Sequence, residues 1–405
     1  MSRILYAWEL GGGYGHVGSF RPLALALRDR GHEVVCAVRD LRSAQAFLGL
    51  HGIEAHQAPI WLHASHGIPP PVNYSEMLFE VGFQDSRGLT GMVRGWRSLL
   101  TRVDPDLLLV DHAPTCLLAA RAGVRARRAL FGTSFYSPPR RDPLPTFVPW
   151  QTPPVERLIE SDRRVVDVAN RVLDRLGGGT PLSRVADLFD VDEDFLCTFP
   201  ELDHYGRRDD ARYWGSTFAA DEGLPPEWPE GRGAKILGYL SSAYRDFDRL
   251  VKALAELPHR VLLYVPGYTS PSRARHGGIV FSPQPLAMAR AIAECDLVLC
   301  HGGHGTVSLA LLGGRPLLLV PIYVEQLVVS RNVATLGAGR LVRMDSRNPP
   351  YARLVTETLR HATHGERARE FASKHHELNG ASQLDALVRR CEELAAGAPD
   401  RGQNL

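Results

Sequence analysis

The chain opens on an apolar run, RILYAW at 3–8, followed by the glycine-rich segment GGGYGHVG and by Leu23, Leu25, Ala26 and Leu27, which mark an amphipathic helix ending at 28–31. HEVVCAV then returns directly to an apolar run. A strand buried on both faces reads as a continuous apolar stretch, so strand, turn, helix, strand predicts a crossover unit of a parallel sheet. PDLLLVD at 105–111 and GVRARRALFGT at 123–133 add two strands, the first ending on an acid at the strand tip where such sheets bind ligands. Residues 60–95, with IPPPVNY, lack a sustained period and read as mobile loops and short helices over the first sheet. After a proline-rich stretch at 137–154, VERLIESDRRVVDVANRVLDRL has clear helical periodicity.

AADEGLPPEWPEGRG at 219–233 combines proline, glycine and charge without periodicity and reads as a linker. Beyond it the alternation restarts with AKILGYLSS, HRVLLYVPG, GGIVFS, DLVLCHGG and RPLLLVPI, and helices are expected near 244–257, 286–294 and 305–313. The predicted fold class is α/β: two Rossmann-like, doubly wound parallel-sheet domains facing across a cleft. The first spans 1–218 and the second 234–385, with a tail at 386–405 that is expected to fray, the final helix crossing back being left open.

Composition removes several classes. Of 405 residues, 44% are hydrophobic and 23% charged, and 47 basic against 45 acidic residues leave a formal charge of +2. No broad field favours nucleic acid or an anionic membrane. The apolar runs LLLV at 107–110 and 317–320 are far shorter than the ~20 residues of a membrane helix. The N-terminus lacks the features of a secretory signal, so a cytoplasmic protein without integral membrane contact is expected. The cysteines at 36, 116, 197, 295, 300 and 391 have no zinc or redox spacing and read as small buried hydrophobes.

The densest chemistry lies at 301–339. DLVLC runs into HGGHGT and then a helix, so successive backbone N–H groups and a positive helix end suit a diphosphate. A purely structural strand-to-helix turn is the competing reading. HGGHGT, Gly314, Pro316, Pro321, Glu325-Gln326, Asn332 and Gly337 together resemble the donor signature of family-one, UDP- or dTDP-sugar-dependent bacterial glycosyltransferases, which have the two-domain GT-B fold. The resemblance implies that His301, Gly303, His304, Gly305 and Thr306 hold the diphosphate, with Gly15 and Ser242 nearby. It places Glu325 and Gln326 on the sugar hydroxyls, and Phe281 and Gln284 of FSPQPLAMA on the base. It implies no catalytic metal and no cofactor besides the nucleotide sugar as co-substrate. Its partners are a nucleotide-sugar donor and a small-molecule acceptor, with a homodimer left open.

The family frequently has a ribose-gripping glutamate where this chain has Leu309. Leucine accepts no hydrogen bond, so a 2′-deoxy nucleotide loses less than a ribonucleotide, and a dTDP-sugar is expected in preference to a UDP-sugar. GGGYGHVGSFRPLALALRDRGHEV resembles the family's opening, with Ser19 where proline is common. In the family the first-turn histidine is the general base, which maps onto His16, and an acid at a strand tip orients it, which maps onto Asp111. A near-neutral imidazole can take a proton from an acceptor hydroxyl as it attacks the anomeric carbon, inverting that centre. Trp61, Tyr74, Phe79, Phe83, Phe135 and Tyr136, together with His63 and Trp150, are expected to line an apolar pocket for a small natural-product-like acceptor.

Two rival readings stay open. Gly13, Gly15 and Gly18 satisfy G-x-G-x-x-G, and Asp40 ends the next strand, as in a nicotinamide- or flavin-dependent oxidoreductase. A non-catalytic nucleotide-sugar-binding protein is the other. The D-x-D strings at 104–106, 190–192 and 246–248 and the pair His375-His376 read as ordinary surface features.

Overall fold

The structure, a computed structural model, describes residues 1–63, 69–217, 223–268, 278–378 and 380–398. Two compact units emerge. One contains Met1–Phe199, Arg207–Thr217 and the chain from Gly380 onward; the other contains Pro200–Gly206 and the described residues between 223 and 378. The predicted linker falls partly outside the described residues, at 219–222, and so does the tail expected to fray, at 399–405.

The first unit is built on β1 (Arg3–Trp8), β2 (Glu33–Val38), β3 (Glu54–Gln57), β4 (Leu107–Asp111), β5 (Arg127–Gly132) and β6 (Glu193–Leu196). They pair in the order β3-β2-β1-β4-β5-β6, and every pairing is parallel. Its helices are α1 (Gly15–Asp29), α2 (Leu41–Phe47), α3 (Tyr74–Phe79), α4 (Ser86–Val103), α5 (Pro114–Ala120) and α6 (Val155–Arg175). Alternate residues of the strands serve opposite faces. Leu5, Ala7, Leu108 and Val110 pack under the helices α3 to α6, while Ile4, Tyr6, Trp8, Leu107 and Leu109 pack under α1.

The second unit repeats the scheme with β7 (Lys235–Tyr239), β8 (Arg260–Tyr264), β9 (Ile279–Ser282), β10 (Leu297–Cys300), β11 (Leu317–Leu319) and β12 (Gly339–Leu341). The order is β12-β11-β10-β7-β8-β9, again all parallel, which is the first sheet's topology over again. Its helices are α7 (Phe247–Ala255), α8 (Met288–Glu294), α9 (His304–Leu312), α10 (Val324–Leu336), α11 (Tyr351–Arg360) and α12 (Ala362–Lys374). The last helix, α13 (Ala381–Ala396), returns to the first unit.

Three expectations are corrected. The stretch at 60–95 holds more than loops and the short α3: the long helix α4 starts within it and runs from Ser86 to Val103, with Leu89, Val93, Trp96, Leu99, Leu100 and Val103 buried along one stripe. Gly88, Gly91 and Gly95, poor helix formers within it, hide its apolar period in the sequence. The tail at 386–405 does not fray over its described residues: the final helix crosses back, and Leu387, Val388, Cys391, Leu394 and Ala395 are buried in the same cluster as Leu23 and Leu27 of α1. Burying each leucine or valine contributes about 1.5–3 kcal/mol, so this helix is a core element. Finally, Pro200–Gly206 belongs to the second unit, not the first.

Candidate active site

Each sheet reverses its strand order once, between β1 and β4 in the first unit and between β7 and β10 in the second. Ligands of doubly wound sheets bind outside the strand tips at such a switch point. The residues singled out by sequence fall at both.

In the first unit the register pairs Trp8 with Asp111, setting the start of the glycine turn beside the carboxylate. The turn needs glycine at Gly11 and Gly13, whose φ values are 85° and 77°. It delivers His16 to the first turn of α1, where Nδ1 lies 2.9 Å from Oδ2 of Asp111. Tyr6 donates its hydroxyl to the same oxygen at 2.6 Å. His16 and Asp111 are both buried, at 7% and 1% exposure. The His16 ring stacks on Trp8 at 4.8 Å between centroids, and Trp8 is fixed by donating Nε1 to the Leu10 carbonyl at 2.5 Å. With Nδ1–H donated to the carboxylate, Nε2 is the basic nitrogen. Glu9 anchors the base of the turn: its carboxylate accepts from Trp96 Nε1 at 2.7 Å and from the Thr115 N–H at 2.9 Å. Burial raises its pKa to about 7, against the opposing pull of the Thr115 and Trp96 donors.

Tyr6, Trp8, Gly11 and His112 were not singled out from sequence. Tyr6 and Trp8 carried a signal, since alternate residues of one strand share a face. His112 follows Asp111 directly and has a positive φ of 47°.

The predicted acceptor residues divide. Tyr136 stands beside His16, with centroids 5.2 Å apart. Tyr74, Phe79 and Phe83 are buried in the core under α3 and α4, and Phe135 is 2% exposed, packed on Phe147. The rings of Tyr74, Phe79 and Phe83 pack in the layer over the sheet, and Phe135 packs beside Phe147. Trp61 lies against Gly82 and Gly88, where a Cβ would stand 2.9 and 2.6 Å from its ring, with His63 edge-on. Trp150 is half-buried in the short helical turn Pro149–Gln151.

In the second unit, His301 follows β10 and its imidazole is fully engaged by backbone. Nε2 accepts from the Ser241 N–H at 2.7 Å and Nδ1 donates to the Val320 carbonyl at 2.7 Å. The ring therefore ties together the tips of three strands, β7, β10 and β11. Direct contact with a phosphate would first require release of the Ser241 N–H. His304 is also buried, and burial lowers its pKa to about 4, so it is neutral near pH 7. Gly303 caps α9, Gly305 is exposed and Thr306 is half-buried, leaving the first-turn N–H groups as the available donors. Gly302 has φ 84°, and a Cβ there would stand 2.7 Å from the Gln326 carbonyl, so glycine is obligatory.

Gln326 turns its Oε1 back to the N–H groups of Ile322 and Tyr323, at 2.9 and 3.4 Å, capping α10. Glu325 is half-buried in that helix's first turn, and Leu309 is half-buried on α9. Ser242 and Gln284 are exposed. Phe281 lies half-buried within β9, with Tyr268 against it at 5.4 Å.

The other sequence features are structural. Asp40 caps α2 by accepting from the Arg42 N–H and the Ser43 hydroxyl, which lower its pKa, so its carboxylate is committed to its own helix. Asp106 accepts from the Arg3 N–H at 2.7 Å, Asp192 from Arg127 and Asp246 from Tyr351. All six cysteines are buried thiols. His375 is not on a solvated face: it is buried and lies 2.9 Å from Glu201. Among the described residues, no group of His, Cys, Asp and Glu converges as a metal site, and no helix is long and apolar enough to cross a membrane.

Residues 279–387 match the glycosyltransferase family 28 C-terminal domain. The chain is 27% identical, over 76% of its length and 76% of the relative's, to a PGL/p-HBAD biosynthesis glycosyltransferase of Mycobacterium tuberculosis. Its fold is that of the glycosyltransferase VinC, solved in complex with dTDP, at TM-score 0.69 and 17% identity, covering 97% of this chain and 99% of that one. The spinosyn rhamnosyltransferase SpnG, solved with spinosyn aglycone, has TM-score 0.64 and 20% identity, covering 97% and 100%.

Proposed function

We propose that this chain, a glycosyltransferase of GT-B fold, moves a sugar from a dTDP-sugar to a hydroxyl of a small, apolar, natural-product-like acceptor, with inversion and without a catalytic metal. The observation that carries the proposal is the His16–Asp111 pair at a strand-order switch point, 2.9 Å apart and buried. Nε2 of His16 takes the acceptor proton while the acceptor oxygen bonds to the anomeric carbon and the bond from that carbon to the diphosphate oxygen breaks. Asp111 stabilises the imidazolium formed, and Tyr6 holds the carboxylate in place. In the second unit, the N–H groups at the start of α9 are fixed dipoles that need no reorganisation and suit the donor's diphosphate. His301 serves this turn by holding three strand tips in register.

Leu309 supports a deoxynucleotide donor, since an apolar side chain offers the 2′-hydroxyl of a ribonucleotide no acceptor. The dTDP bound to VinC agrees with it. The test is calorimetric binding of dTDP, UDP and NAD, followed by transfer assays with His16→Ala. The expected result is dTDP bound more tightly than UDP, NAD not bound, and a variant that binds dTDP normally without transferring sugar. Turnover surviving in His16→Ala removes the base assignment, and equal affinity for dTDP and UDP removes the donor assignment.

A further inference from the structure

His112 is buried at 6% exposure, yet both of its ring nitrogens lack a hydrogen-bond partner. Its backbone is held in the left-handed region at φ 47°, with the carbonyl accepting from the Leu10 N–H at 3.0 Å. A buried polar group left unsatisfied costs about 1–3 kcal/mol, and non-glycine residues at positive φ are uncommon and concentrate at functional sites. A phenylalanine would fill the same space without that cost. The ring stacks under Tyr136 at 4.1 Å and 20°, lies 5.9 Å from Tyr74, and is 6.3 Å from the His16 ring. Burial keeps it neutral, so it offers one N–H donor and one nitrogen acceptor.

We infer that His112 is an acceptor-binding residue, hydrogen-bonding a second oxygen of the acceptor, about one aromatic ring's length from the hydroxyl that reacts at His16. The acceptor class is therefore a diol or a hydroxy-carbonyl compound rather than a simple alcohol. Tyr136 stacks on the face of the imidazole and leaves the in-plane directions of its two nitrogens to the ligand. The inference rests on the reading of His16 as the base, because that reading sets where the first oxygen sits.

The test is equilibrium binding of two phenols of the same shape, hydroquinone and 4-methylphenol, to the full chain at millimolar concentrations, followed by ligand-observed NMR. Wild-type protein is expected to bind hydroquinone roughly tenfold more tightly. His112→Phe, which keeps the stack on Tyr136, is expected to abolish that preference while leaving 4-methylphenol affinity and the melting temperature unchanged. His112→Asn, which retains a donor and an acceptor, restores part of it. The same preference in wild type and His112→Phe overturns the inference, as does failure of either phenol to bind. His16→Ala separates the two readings: if it transfers sugar normally while the hydroquinone preference depends on His112, the base assignment fails and the binding role of His112 stands.

Discussion

A Cβ on Gly11 would stand 2.5 Å from Nε2 of His16. The glycine turn thus sets how the imidazole can lie as well as where it lies, since the backbone of Gly11 passes against its basic nitrogen. Gly11→Ala adds a methyl group there and forces alanine to φ 85°. Displacing a reacting group by about an ångström costs on the order of a hundredfold in rate. The variant is expected to lose about that much kcat while dTDP affinity holds. Gly12→Ala, with nothing within 4 Å of its Cβ, is the matched control and should stay active. Equal activity of the two variants in a transfer assay would falsify the argument.

Oδ2 of Asp111 receives both His16 and Tyr6. Removing the carboxylate charge with Asp111→Asn withdraws the partner of the imidazolium, and kcat should fall about 1,000-fold or more. Tyr6→Phe keeps the stack on Phe20 at 3.9 Å but loses one hydrogen bond to a charged group, so a drop of roughly tenfold is expected. Steady-state kinetics of the two variants beside wild type decide it; a larger loss in Tyr6→Phe would reverse the assigned order of importance.

Leu309→Glu should place a carboxylate where ribose hydroxyls can be gripped. The expected outcome is UDP affinity rising roughly tenfold relative to dTDP, read by competition calorimetry. An unchanged ratio means that Leu309 does not face the ribose.

Glu9 makes the stability of the first unit depend on pH. Burial, the largest influence, raises its pKa from 4.5 to about 7. Between these values the folded protein retains a proton that the unfolded chain has lost, so this contribution is full below pH 4.5 and fades as pH rises towards 7, by about 3 kcal/mol in all. Urea unfolding at pH 5 and pH 8 should show the decline, and Glu9→Gln should flatten it. A variant that declines as steeply as wild type assigns the effect elsewhere. Glu201 has the opposite sign. Despite its burial, hydrogen bonds from His375 and Lys374 lower its pKa to about 2, so its contribution is lost as pH falls from 4.5 towards 2, and Glu201→Gln should soften acid unfolding of the second unit.

Sequence by itself determined the two parallel sheets, because strands covered on both faces must be apolar throughout, and RILYAW, LLLVD and LVLC can hardly be anything else. It also determined where glycine turns meet helix starts, and so which segments carry His16 and 301–306, since strand, glycine turn and helix follow one another in consecutive residues. The tertiary structure decided which side chains meet. Tyr6 reaches Asp111 across 105 positions only through the β1–β4 register. His301 spends both nitrogens on neighbouring strands, Phe79 and Phe83 join the core under α3 and α4, and the stripe of α13 finds its partner on α1, more than 350 residues away. A periodic pattern records that a face is buried, but the surface that buries it is set by strand order and register, which no local stretch of sequence contains.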